Sequence, residues 1–425
     1  MNIKKILLSL LVLAGTASPG AAQVTLGECL DAARENYPLI ARYGLLEQTE
    51  AVSLSDINKS WLPQVGVYAQ GTAQNAVPAF PERLEQIVPD LQGLGKLQYK
   101  VGAELQQTIW DGGQSKSQRS IRRAQTAADR AALDVELYAV GERVESLFFG
   151  ALLAEEQVRQ IDLSITLLGE NIRRMRSMVE NGTAMRADAD MLEAQLLTTS
   201  QQRIQAQNAA ANCRRLLGIF TGLDLGGQEL VKPEATMPET LAVERPELSM
   251  FDAKSRLFAA QEAEIRSSLM PRIGLFAQAF YGYPGFDNFK SMMDRKMTFN
   301  ALAGVKISWN IGGLYTKDNR RRQLRLASET VGNEREVFLF NNRLQSTQQS
   351  DKIEEIRRVM ADDQRIVELR GNVRRAAESQ LRNGVIDATA LLTKITDENQ
   401  ARLTAAYHEI QLLQSIYQLK HTLNR

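Results

Sequence analysis

The chain has 425 residues, with 51 Lys and Arg against 50 Asp and Glu, two His and two Cys. Charges so closely matched give a nucleic acid nothing to bind, and no nucleic-acid partner is expected. His408 and His421 stand without a carboxylate or cysteine at metal-ligand spacing, and neither a Gly-rich phosphate loop nor an exposed-serine elbow occurs. The expectation is a non-enzyme with no cofactor and no metal.

In chain order, residues 1–22 read as a signal peptide. Lys4 and Lys5 open it, Ile6 to Ala14 is its apolar run, and Gly20-Ala21-Ala22 is a small-residue cleavage site before Gln23. That run is too short to span a bilayer, and no later stretch approaches 18 consecutive apolar residues, so no transmembrane helix is expected. Once it is removed, 49 bases face 50 acids. In an exported chain, Cys29 and Cys213 leave two readings open, a disulfide or two small buried thiols.

All eleven prolines lie between positions 19 and 89 or 233 and 284, which leaves 90–232 and 285–425 free for helix. The sequence also matches itself. At an offset of 208, Pro38, Ile57, Pro63, Gly66 and Gln70 meet Pro246, Ile265, Pro271, Gly274 and Gln278. Two tandem repeats are therefore expected. Repeat 1, residues 23–232, holds a helix at Leu39–Trp61, strands within about 63–110, a long helix 114–180, a tip 181–184 and a helix 184–217. Repeat 2, residues 233–425, holds a helix at Glu247–Met270, strands within about 271–311, a long helix 314–382, a tip 383–386 and a helix 386–423. Asn181-Gly182 and Asn383-Gly384 are the reversals. A helix the length of 114–180 would run roughly 100 Å. The two shorter helices of each repeat, stacked end to end, would pair with it antiparallel.

The strands alternate. Leu97, Tyr99, Val101, Ala103 and Leu105 interleave with Gln98, Lys100, Gly102, Glu104 and Gln106, and the stretch Phe299 to Asn310 repeats the pattern. Period two over about ten residues suits a tilted strand with one face in lipid and one in water. Ile273 to Tyr281 is more uniformly apolar. The same alternation fits a soluble sheet covered on one face. The export signal and the lack of a helical anchor favour a barrel. Four strands cannot close alone, so several chains must pool theirs, and three chains would give twelve.

These residues resemble the TolC family of outer-membrane efflux proteins. The carriers are the opening Leu26-Gly-Glu-Cys-Leu-Asp-Ala-Ala-Arg-Glu-Asn-Tyr-Pro38, the strand start Trp61-Leu-Pro-Gln-Val65 with its copy at Leu269 to Ile273, Gly112-Gly113 and Gly312-Gly313, and the two Asn-Gly tips. The resemblance implies a mainly α fold with a transmembrane β-barrel contribution: a TolC-like α-barrel/β-barrel homotrimer in the Gram-negative outer membrane, extending into the periplasm. An equatorial belt would draw on residues about 216–245 and the chain ends. The implied task is passive export of drugs, toxic small molecules or proteins received from an inner-membrane pump through a periplasmic adaptor.

The family places adaptor contact at the tips, here Asn181, Gly182, Thr183, Ala184, Asn383, Gly384, Val385 and Ile386. It often carries a constricting carboxylate six residues after each tip glycine. Asp188 matches, Ala390 does not, and Asp190 and Asp387 lie near enough to charge the mouth. Local roles are open beside this one: Asp387 as a helix N-cap and Asp188 as a first-turn acid. The competing function class is a non-conducting periplasmic coiled-coil adaptor or scaffold.

Overall fold

The computed structural model describes residues 23–81, 87 and 93–425, so the expected signal peptide lies outside the described residues. The elements in order are β1 (Gln23–Val24), α1 (Leu26–Asn36), a 3-10 turn (Pro38–Ile40), α2 (Ala41–Lys59), β2 (Gln64–Ala73), β3 (Leu97–Trp110), α3 (Gln114–Glu180), α4 (Arg186–Thr221), β4 (Glu229–Leu230), α5 (Pro246–Ser268), β5 (Arg272–Tyr283), α6 (Asn288–Asp294), β6 (Thr298–Ser308), α7 (Gly313–Arg382) and α8 (Ala388–Leu423). The order helix, strand, strand, long helix, helix occurs twice. In the second pass α6 lies in the connection between the two strands, which the sequence did not announce.

Two compact units divide the chain. The first takes the residues up to Ala41 with Leu133–Pro246 and Val337–Arg425, and the second takes Arg42–Ala132 and Glu247–Glu336.

The second unit holds a four-stranded sheet of order β2-β3-β5-β6, antiparallel throughout. One row across it pairs Val67, Ala103, Ala279 and Ala301. The face to which this row belongs is apolar and open: Val67 is 80% exposed and Phe299 72%. The opposite face carries Gln64, Gln106, Glu104, Lys100, Gln278 and Asn300, as period two dictates.

On β5 the alternation breaks for a physical reason. Phe276 and Phe280 lie on the polar face, directly opposite Gly304 and Gly102 in the neighbouring strands. A Cβ added at Gly102 would stand 2.6 Å from the Ala279 carbonyl oxygen and 2.7 Å from the Phe280 Cβ. The Phe276 ring covers Gly304, with a ring carbon 2.9 Å from where a Cβ would stand, while the backbone and Cβ of Phe280 close over Gly102. The Lys100 ammonium sits 4.9 Å from the centre of the Phe280 ring, and Phe286 meets that ring edge-on at 5.1 Å.

The first unit is helical around one apolar cluster. Val24, Leu26 and Cys29 from the chain start join Val144, Phe148, Phe149 and Leu152 of α3, Leu217 of α4, Leu230 of β4 and Ile410 of α8. A fully buried side chain of this size contributes about 1.5–3 kcal/mol. Local chemistry starts α1: the Thr25 hydroxyl accepts from the Glu28 N–H, and the Glu28 carboxylate accepts from the Thr25 N–H. Asn36 donates to the carbonyls of Ile219 and Phe220, which end α4. At the other terminus, Leu423 accepts from the Glu244 N–H at 2.9 Å, and Arg425 pairs with the Glu244 carboxylate. Segments near 216–245 and both chain ends therefore meet in this unit.

Cys29 and Cys213 are free thiols. Cys29 is fully enclosed in the cluster and Cys213 packs against it. Burial pushes the Cys29 thiol up to about 11, so it stays protonated and unreactive near neutrality.

The glycine contacts give a paired test. Gly102→Ala puts a methyl where none fits and is expected to cost about 1–3 kcal/mol. Gly71→Ala, whose added Cβ meets nothing within 4 Å, is expected to stay within about 0.5 kcal/mol of the parent. Thermal melts followed by the strand signal in circular dichroism compare them, and equal midpoints would show that the close packing over Gly102 is not a constraint.

Candidate functional site: the ends of the two helical hairpins

Both hairpins turn by the same backbone device. In the first, the Thr183 N–H reaches the Met178 carbonyl at 2.9 Å and the Gly182 N–H reaches Val179 at 3.0 Å. In the second, the Val385 N–H reaches Gln380 at 2.9 Å and the Gly384 N–H reaches Leu381 at 3.0 Å. This double bond pattern needs a left-handed residue after the helix. Gly182 with φ 71° and Gly384 with φ 69° supply it. The Thr183 hydroxyl adds a bond to Met178 in the first turn only.

Next come the carboxylates. Asp188 accepts from the Met185 N–H at 3.0 Å, and Asp387 accepts from the Ala390 N–H at 2.8 Å. Each thereby satisfies an orphan donor where α4 or α8 begins, and its charge sits at the favourable end of the helix dipole. That is why α8 starts at Ala388, two residues beyond the expected 386. Asp190 is exposed and has no partner among the described residues. Asn181, Gly182, Thr183, Asn383, Gly384 and Val385 are exposed, while Ala184 and Ile386 are half-buried and pack inward.

Behind the tips the hairpins share a core. Ile172 and Met175 of α3, Ala189 and Leu192 of α4, and Ala388 of α8 form one cluster. Leu168, Ala377, Leu391 and Ile395 form the next. The tips are thus held as a pair by apolar contact, and the Thr389 hydroxyl adds a bond to the Met191 sulfur.

One turn deeper lies a buried ionic group that sequence reasoning missed. Glu398 of α8 is 2% exposed and accepts from Arg374 of α7 and from Arg402 of its own helix. Arg374 also donates to Glu378 at 2.6 Å, and Asn171 of α3 reaches the same Glu378 at 3.4 Å. Burial alone would raise the Glu398 pKa. The hydrogen bonds and charges of Arg402 and Arg374 outweigh it and hold the carboxyl below its ordinary range. For Arg374 burial pulls the other way, and Glu398 and Glu378 prevail to raise it. A cavity of about 200 Å³ opens beside the group, lined in part by Gln160, Ser164, Asn399 and Arg402. The signal was present as two i,i+4 pairs, Arg374 with Glu378 and Glu398 with Arg402, one on either side of the second tip.

The site offers shape, charge and contact surface. Among the described residues no group of three or more His, Cys, Asp or Glu is placed to hold a metal. His408 is engaged with Asp363 at 2.8 Å.

Glu398→Ala removes the carboxylate shared by Arg374 and Arg402 and leaves half-buried Arg374 with Glu378 alone, and is expected to cost up to about 3 kcal/mol. The depressed carboxyl also fixes a pH window. Its contribution is fully present above the unfolded value near 4.5 and is lost as pH falls through the lower folded value. Acid titration of thermal stability in the parent and in Glu398→Gln checks this, the parent losing stability more steeply below about pH 4.5.

No protein-family model matches the sequence, and no curated protein matches it. Solved structures do match. The outer-membrane channel OprN superposes with a TM-score of 0.68 at 16% identity, over 94% of this chain and 89% of that one. The CmeC outer membrane channel of Campylobacter jejuni gives 0.66 at 15% identity, over 94% and 85%. The open-state MtrE outer membrane channel of Neisseria gonorrhoeae gives 0.62 at 15%, over 94% and 88%. Likeness at these identities is likeness of fold, and the fold of this chain is the TolC-like one that its sequence resembles.

Proposed function

We propose that the chain is the outer-membrane channel of a tripartite export system, acting as a homotrimer with no chemistry of its own. The observation that carries this reading is the sheet. Its strands are 10 to 14 residues long, one face is apolar and exposed, and β2 and β6 each have one unpaired edge. In lipid such edges must be closed, and copies of the same sheet can close them by pairing β2 of one chain with β6 of the next. None of the helices is long and apolar enough to cross a membrane among the described residues, so the sheet is the candidate anchor. The likeness to proteins described as outer-membrane channels supports the same assignment.

In this reading the tips around Asn181 and Asn383 meet a periplasmic adaptor, which couples the channel to an inner-membrane pump. The cargo is drugs, toxic small molecules or proteins. Asp188, Asp190 and Asp387 then ring the mouth, each present three times, and favour cations there.

Purified oligomer in planar bilayers is expected to give discrete conductance steps. Asp190→Asn together with Asp387→Asn is expected to shift the reversal potential in a salt gradient toward anions with little change in thermal stability, because Asn keeps the N-cap. Recovery of the protein in the soluble periplasmic fraction, with no conductance at any voltage, would instead support the adaptor or scaffold.

A further inference from the structure

At the sheet end that contains Gln64, Trp110, Arg272 and Ser308, the chain passes into the two long helices. The first three turns of α3 carry Lys116, Arg119, Arg122 and Arg123 and no acid. The corresponding turns of α7 carry Lys317, Arg320, Arg321, Arg322 and Arg325 against Asp318 alone. Some of these are used internally: Arg119 bonds Asn58, and Arg321 pairs with Glu262. Lys116, Arg123, Arg320 and Arg322 are exposed, and no acidic partner for them exists among the described residues.

A merely solvated helix face does not account for this. Elsewhere in α7, Lys352, Arg358 and Arg365 each find a glutamate three or four residues away. Arg320 and Arg322 flank the paired Arg321, and although Asp318 stands four residues before Arg322, no ion pair joins those two among the described residues, so both bases are left to be offset from outside the helix. What adjoins them on the sheet side is apolar and aromatic. Trp110 is 41% exposed, Trp309 58% and Tyr315 86%. Tyr315 and Arg322 are seven residues apart, hence on one face of α7 and roughly 10 Å apart along it. Lys116 and Arg123 stand in the same relation on α3. An aromatic band followed by bases over that depth matches the passage from acyl chains to headgroup phosphates, and long basic side chains can reach back toward it.

We infer that these turns form a basic collar that binds the phosphate-bearing headgroups of anionic phospholipids around the barrel. The inference rests on the membrane reading above and names a lipid class that the reading does not require. Each collar charge near an anionic surface contributes roughly a fivefold preference where it engages one headgroup. The preference weakens as salt screens it.

The three tryptophans of the chain, Trp61, Trp110 and Trp309, lie at this end and report on it. The full-length oligomer is reconstituted into vesicles of phosphatidylcholine mixed with phosphatidylglycerol, with bromine on the chains of one lipid or the other, and tryptophan quenching is compared. The expected result is a several-fold excess of quenching by brominated phosphatidylglycerol, reduced at high salt. The variant Lys116→Gln, Arg123→Gln, Arg320→Gln, Arg322→Gln is expected to bring the ratio to one, and the variant Arg123→Lys, Arg320→Lys, Arg322→Lys to keep it. Equal quenching by both lipids in the parent, or an unchanged preference in the glutamine variant, overturns the collar and leaves the channel standing. Quenching by neither lipid overturns the membrane reading itself.

Discussion

A sheet with two unpaired edges and an open apolar face is the constraint on which the rest of this protein depends. The outward N–H and C=O groups of β2 and β6 have no strand partner among the described residues, and in hydrocarbon each unmet group costs several kcal/mol. Water could satisfy them, but water would then lie against Val67 and Phe299, which the fold leaves bare. In the proposed channel, pairing with further copies, with lipid outside and water within, would relieve both costs together. The polar face follows from the same requirement. Gln64, Gln106, Glu104 and Gln278 need solvent, and the two phenylalanines on that face are spent covering glycines rather than facing lipid.

Within the helical unit the corresponding problem is register. Long helices of Ala and Leu can slide past one another at little cost, since one apolar layer resembles the next. Glu398 removes that freedom, because its carboxylate is buried where only the present alignment of α7 against α8 brings Arg374 to it, Arg402 being supplied by its own helix. The ionic group need not add much net stability over an apolar replacement. Its effect is to make other alignments of α7 and α8 worse, and so to fix the register of the second hairpin.

How much of this was legible follows from range. The long helices, the two turns and the strand alternation are written locally, in proline spacing, Asn-Gly pairs and period two, and α3 begins and ends at the residues expected from them. The expected end of α4 at Leu217 fell short of Thr221 because Gly218 is accommodated inside the helix, and Gly222 is the actual left-handed cap. Phe276 and Phe280 read as noise because their reason lies in glycines of other strands. Glu398 was passed over because a charged side chain in a helix is usually solvated, and burial is not a local property. At the tips, the helix-capping roles of Asp188 and Asp387 were legible from position, whereas a gating role depends on neighbouring copies that one sequence does not describe.

Charge shows the same division between sum and place. The formal charge of +1 at pH 7 gives no reason to expect a nucleic acid, yet it conceals a strong segregation. Bases gather in the opening turns of α3 and α7, where acids are almost absent, while the hairpin ends carry Asp188, Asp190 and Asp387. A random distribution would let each base find an acid along its own helix, as happens in the middle of α7. Bases left unpaired beside an aromatic band, in a chain with acids to spare elsewhere, are therefore placed for a partner that the chain itself does not contain.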